Sequence, residues 1–410
     1  MTQRATDAAP ASRSLRPAPR ALHRAPLVVA AAAAAAVVGL AAGPAVAAPP
    51  SRALVAVQSA GADALEGSYI VTLDPGSDAE EVAADLGVVP DEVYDVAVDG
   101  FAADLDPAEL SALQRDPDVL AIEEDAVVTL DATQQVAVGG GLYGLDRIDQ
   151  RSRPLSGTYT YGTTASGVTA YVIDTGIATA HRDFGGRATN VYDALGGDGQ
   201  DCNGHGTHVA GTIGGATHGV AKGVQLRGVR VLGCDGSGST SGIIAAVDWV
   251  RANAARPAVA NMSLGGGYSA ALNRAVDALA ASGVSIAVAA GNESQDACRV
   301  SPASASGALT VAASDRTDTR ASFSNYGSCA ELYAPGVNIT STWLAGGTRT
   351  ISGTSMASPH VAGAMALVKA AYGDLPSSQV NATLVENATT GVVSRNVGRT
   401  PNRLLYKGGL

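Results

Sequence analysis

The sequence predicts an α/β fold: a mostly parallel sheet with helices on both faces, preceded by a small α+β unit. Three observations carry this prediction. From residue 168 onward, short apolar runs alternate with longer segments of helical period. Apolar residues make up 46% of the chain but aromatics only 4%, so the core is built from Ala, Val, Leu and Ile. Before residue 132 the elements are shorter and the charge is of a different kind. At 410 residues the chain is long enough for two folded units with additional segments.

In chain order, the first 48 residues are a basic leader rather than structure. Arg4, Arg13, Arg16, Arg20 and Arg24 precede the apolar run LVVAAAAAAAVVGLAAG at 27–43, and Ala45-Val46-Ala47 suits a signal peptidase. The run is nearly long enough to span a bilayer. It is mostly alanine, however, and no second apolar span follows, so export with removal of residues 1–47 is expected and no membrane association afterwards.

The small unit follows. SYIVTLD (68–74) alternates like a strand, and DAEEVAADLGV (78–88) is an acid-started helix. VYDVAVDGFAADL (93–105) resembles a hairpin turning at Asp99-Gly100. DPAELSALQRDPDV (106–119) is a second helix with Asp106 and Pro107 at its start, and LAIEEDAVVTL (120–130) closes as a strand. That β-α-β-β-α-β order is ferredoxin-like. Residues 49–131 hold 20 acids against Arg52 and Arg115, a net −18, whereas 1–48 carry +4 and 132–410 carry +3. No polybasic footprint for nucleic acid is present.

In the body, VTAYVIDTG (168–176), VQLRGVRVLG (224–233), PAVANMSLGG from 257 and VSIAVAAGN (284–292) are strand-like. STSGIIAAVDWVRANA (239–254) and ALNRAVDALAASG (271–283) are helical. Ligands of such sheets bind beyond the carboxyl ends of the strands, where Asp174 and Asn292 lie. Cys202, Cys234, Cys298 and Cys329 suggest two disulfides in an exported chain, with three pairings open.

Three polar positions stand out. Asp174 ends an apolar strand, so its charge needs a partner nearby. His205 sits among glycines in NGHGTHVAGTIGG (203–215). Ser355, in GTSMASPH (353–360), opens an apolar helix, and Pro359 is expected within that helix's first turn. Each alone is ordinary. Together they are an acid, a base and a nucleophile in the chain order Asp, His, Ser, with the serine beside unpaired backbone donors. Two other patterns fail. His205 and His208 lack the glutamate of H-E-x-x-H, which excludes that zinc signature, and GCDGSGSTSG has Ser241 where a dinucleotide fingerprint needs glycine.

DTG (174–176), GHGTHVAG (204–211) and GTSMASPHVAG (353–363) resemble the three signature blocks of subtilase serine peptidases. SLGGG (263–267), AAGN (289–292), ASFSNYGS (321–328) and PNRLLY (401–406) point to the proteinase K branch, nearest to aqualysin-like extracellular enzymes. The resemblance covers nearly all of 132–410 and implies a subtilisin-like fold. The acidic segment 48–131 is similar to the family's inhibitory propeptide, which folds and blocks its own enzyme until self-cleavage near 130–132.

The resemblance implies Ser355 as nucleophile, His205 as base, Asp174 as its orienting acid and Asn292 as oxyanion donor. Gly236, Ser237 and Gly238 with Ser263, Leu264, Gly265 and Gly266 match the edges that flank a substrate strand, and Ala289 and Gly291 match the adjoining pocket. The implied activity is a secreted, monomeric endopeptidase acting on proteins, with broad preference for apolar or aromatic residues before the cut. Catalysis would need no cofactor. Structural Ca2+ is implied at Ser306, Ala308 and Glu331, where glutamate replaces the family's aspartate. Asp146, Asp149 and Gln150 match part of a second calcium site whose later ligands are here Ser156 and Thr158. The implied disulfides are Cys202–Cys234 and Cys298–Cys329. Tyr143 stands where relatives carry Trp, with little consequence expected.

Overall fold

The structure, a computed structural model, describes residues 53–59, 64–94, 99–126, 132–135 and 140–410. The leader and the stretch 127–131 therefore lie outside the described residues.

The small unit is a five-stranded sheet with two helices on it. Ala64–Leu73 lies between Val119–Ala126 and Gly100–Asp104, both antiparallel to it, and Glu92–Tyr94 borders the latter. This is the order expected from the β-α-β-β-α-β pattern. A short parallel strand, Val57–Gln58, is added at the far edge. Asp78 caps the helix Ala79–Asp85, accepting from the amides of Glu80 and Glu81. Asp106 and Glu109 form a reciprocal capping box on Pro107–Leu113.

Two expectations need correction. The second helix stops at Leu113 rather than 119, because Pro117 disfavours helical backbone at Asp116. Gly100 is not a turn residue: it already pairs with Tyr94 inside the strand. A Cβ at Gly100 would lie 2.2 Å from the Val71 carbonyl oxygen, so glycine serves close approach there.

The body is built on nine strands. Their spatial order is Thr389–Thr390, Arg403–Leu404, Leu332–Pro335, Leu309–Ser314, Ser285–Ala289, Ala258–Met262, Thr169–Asp174, Gln225–Arg230 and Ala188–Asp193. All neighbours pair in parallel except the first two. Ala170 and Val172 pack on one face with Val209, Ile213 and Val361, from the helices His205–Gly214 and Thr354–Tyr372. Tyr171 and Ile173 pack on the other with Val247, Val250, Val276 and Leu279, from Thr240–Asn253 and Ala270–Ala281. Alternation thus sends both sets of side chains of the central strand into cores, which explains why that strand is largely apolar.

Pro359 falls in the second turn of its helix, not the first, since the helix begins at Thr354. A proline there removes the N–H that would bond the Ser355 carbonyl. Ser263 Oγ takes over that carbonyl, donating at 2.8 Å. The interruption is therefore satisfied from the neighbouring strand end.

Candidate active site

Asp174, at the end of the strand Thr169–Asp174, is fully buried. Its Oδ1 accepts from the Thr175 amide at 2.8 Å and lies 2.7 Å from His205 Nδ1. His205 opens its helix behind Gly204, whose φ of 104° suits glycine. The helix can approach the strand because residue 206 is also glycine. A Cβ there would stand 2.2 Å from the Gly176 carbonyl oxygen and 3.2 Å from Asp174 Cβ. Burial opposes charge on the imidazole, but the charge and hydrogen bond of Asp174, with the charge of Asp201, outweigh it and raise the His205 pKa above 6.5. His208, one turn along, has its pKa lowered by burial to about 4, and its Nε2 lies 3.1 Å from the carbonyls of Ile339 and Arg349.

His205 lines a cavity of about 480 Å³ together with Gly236, Ser237, Gly238, Ser263, Leu264, Gly265 and Gly266. Ser355 lines an adjoining cavity of about 310 Å³ with Ala289, Gly291 and Asn292. The two cavities share Leu264, Gly265, Gly266 and Gly267 as walls. Twelve of the thirteen residues singled out in the sequence for chemistry or substrate therefore line two adjoining cavities with shared walls, and Asp174 is buried behind His205. Ser355 Oγ donates to the Ser263 carbonyl at 3.2 Å. Asn292 Oδ1 accepts from Thr354 N at 2.8 Å and Thr354 Oγ1 at 3.0 Å, which leaves the amide's donors for the cleft.

Several neighbours escaped the sequence analysis. Thr354 orients Asn292. Asn261, fully buried, donates to Ser263 Oγ at 2.8 Å and accepts from Ser358 Oγ at 2.7 Å. Glu293 and Arg299 line the smaller cavity, which the sequence reading treated as uncharged. Asp201 lies beneath the His205 turn; an Asp just ahead of a helix start was a capping signal that could have drawn notice. Tyr143 is buried, and its hydroxyl donates to the Val337 carbonyl at 2.9 Å.

The cysteines pair as Cys202–Cys234 and Cys298–Cys329. The first bond ties the loop before His205 to the loop carrying Gly236.

Among the described residues, no group of three or more His, Cys, Asp or Glu side chains stands ready to hold a metal. Glu331 is the suggestive residue. Its carboxylate accepts the Thr310 amide at 2.8 Å, and burial pushes its pKa up to about 7. A half-buried carboxylate whose pKa burial raises even against the charge of Arg403 has the chemistry of an oxygen ligand for calcium. At the second position the residues divide: Asp149 accepts the Thr160 amide at 2.8 Å and burial raises its pKa to about 6, as at Glu331, whereas Asp146 and Gln150 are engaged by donors. Asp146 accepts from Ser156 N at 3.0 Å, Ser156 Oγ at 2.9 Å and Gly157 N at 2.8 Å, while Gln150 accepts from Ser156 N at 2.9 Å. Ser156 and Gly157 donors thus engage Asp146 and Gln150.

The subtilase family model matches residues 165–403, and the peptidase inhibitor I9 model matches 68–131. The chain is 54% identical over 325 residues to an extracellular serine proteinase of Thermus sp. (strain Rt41A), covering 78% of each chain. It is 52% identical over 320 residues to alkaline serine exoprotease A of Vibrio alginolyticus, covering 77% of this chain but only 60% of the relative's length. A solved cold-adapted subtilisin-like serine proteinase aligns with a TM-score of 0.64 at 54% identity, over 65% of this chain and 97% of that one. The chain belongs to the subtilase family, with an I9-type inhibitor segment ahead of its catalytic-type body.

Proposed function

We propose that this protein is a secreted serine endopeptidase made as a self-processing zymogen, with a leader at 1–47, an inhibitory segment at 48–131 and a catalytic body at 132–410. The observation that carries this reading is the 2.7 Å Asp174–His205 contact on the wall of a cleft that also holds Ser355 and Asn292. Ser355 Oγ leaves the Ser263 carbonyl, gives its proton to His205 Nε2 and attacks the scissile carbonyl. Asp174 fixes the imidazole tautomer and steadies its charged form. The Asn292 amide donates to the oxyanion. The acyl-enzyme is then hydrolysed by water with the same base.

Extended substrate backbone lies between Gly236–Gly238 and Ser263–Gly266, which gives sequence-tolerant affinity. The glycine and alanine walls of the smaller cavity favour apolar or aromatic P1 side chains, with Glu293 and Arg299 at the same cavity modulating charge. The inhibitory segment's −18 against the body's +3 makes their association salt sensitive.

The test is the intact mass of the secreted product from the wild type and Ser355→Ala. Loss of everything before about residue 132 in wild type alone supports the reading. Trimming of neither chain overturns the zymogen and leaves a non-cutting peptide binder.

Calcium is held in this proposal by the Ser306 and Ala308 carbonyls and Glu331. A group whose folded pKa of about 7 exceeds its free value of 4.5 favours folding when protonated. In chelator, stability should therefore fall as pH rises through about 4.5 to 7, and calcium should flatten that slope. Glu331→Gln should remove both effects in Tm measurements; a calcium response that survives the substitution rejects this ligand set.

A further inference from the structure

We propose that Asp201 is a positioning residue for His205: it locks the first turn of the His205 helix to the end of the Asp174 strand and places a second buried negative charge within electrostatic reach of the imidazole. This rests on the catalytic reading of Asp174, His205 and Ser355 given above.

Asp201 is 8% exposed and accepts five hydrogen bonds. Oδ1 receives Thr175 Oγ1 at 2.9 Å, Asn203 N at 2.9 Å and Gly204 N at 2.8 Å. Oδ2 receives Thr207 N at 2.9 Å and Thr207 Oγ1 at 2.6 Å. A simple helix cap would engage one or two amides of its own turn. This carboxylate also reaches across to Thr175, the residue after Asp174. Thr175 Oγ1 in turn accepts the amide of Gly206, the residue after His205, at 2.9 Å. Both members of the acid–base pair are thus fastened to one carboxylate through their immediate chain neighbours. Catalytic geometry of this kind tolerates little displacement.

The charge acts as well as the contacts. The charged and titratable groups acting on His205 are Asp174 from the strand, Asp201 from the loop and His208 one turn along its own helix. His208 stays neutral above about pH 4, so the two carboxylates are the charges that favour an imidazolium. All five partners of Asp201 are donors, so an amide in its place would turn an N–H2 group against them.

The experiment is the pH profile of kcat and kcat/KM for the processed enzyme on one chromogenic peptide, for Asp201→Asn, Thr207→Val and Thr207→Ser. Asp201→Asn should lower kcat by about tenfold or more with a smaller change in KM, and should move the acid limb of kcat/KM to lower pH. Thr207→Val keeps the charge, so it should lower kcat while its acid limb stays in place; Thr207→Ser should restore kcat. An unmoved acid limb in folded Asp201→Asn overturns the proposal. If that variant does not fold, unchanged kcat in Thr207→Val overturns it. Wild-type turnover abolished by Ser355→Ala must accompany the series; without it, the catalytic reading itself has failed rather than the role of Asp201.

Discussion

The two corners of the cleft are held by different physics. At the His205 corner two buried carboxylates act: Asp174 holds the imidazole, Asp201 holds its helix turn, and both charges favour the imidazolium. At the Ser355 corner, the contacts within the polar relay are neutral. Ser358, Asn261 and Ser263 form a buried chain ending on the Ser355 carbonyl, and Thr354 aligns the Asn292 amide. In the proposed mechanism His205 gains and loses a charge during turnover, and the carboxylates stabilise that change. There the Ser355 helix need only stay in place beside a proline, and neutral hydrogen bonds suffice. Perturbing the first corner should move the pH profile; perturbing the second should lower rates at every pH alike.

The strongest test of that contrast is Asn292→Leu. Loss of an oxyanion donor is expected to lower kcat by about 10²–10³-fold, roughly 2.7–4 kcal/mol, a magnitude established on a subtilisin and so on this very family. The acid limb of kcat/KM should not move. A limb displaced together with the rate would break the division between the corners.

Asn261→Ala should have the next largest effect. It strands the hydroxyls of Ser263 and Ser358 in a dry site, so thermal unfolding should report a loss of about 1–3 kcal/mol. The Ser355 carbonyl then loses a firmly placed donor, and kcat should fall roughly tenfold with the pH profile unchanged. Full activity in this variant would mean that the relay serves packing alone.

Arg299→Ala should be the mildest. The side chain lines the smaller cavity, and exposed charges contribute weakly, so kcat/KM for P1 Lys over P1 Glu should rise by up to about fivefold while P1 Phe is unaffected. A P1 panel with no change in that ratio would remove Arg299 from specificity.

Much of this site was legible in the sequence because local rules point to it. Asp174 ends a largely apolar strand, and His205 and Ser355 each open a helix among glycines and other small residues. The residues that were missed have no local signature. Asn261 lies within an apolar strand, and Ser358 looks like any small helix residue; only their meeting across 97 positions gives them a task. Pro359 was placed a turn too early because the donor that excuses it, Ser263, lies 92 residues back.

The sequence by itself determined the β-α-β-β-α-β order of the small unit, the strand–helix alternation that makes the body's sheet parallel and doubly covered, and the small residues that let helices press against it. These follow from side-chain period and backbone sterics, which act over a few residues. Tertiary structure alone decided which hydroxyl faces which carbonyl, that Asp201 bonds the chain neighbours of both Asp174 and His205, and that donors engage Asp146 while burial raises the Glu331 pKa. Those outcomes depend on atoms brought within 3 Å from distant positions, and their energies are set by burial that no local pattern specifies.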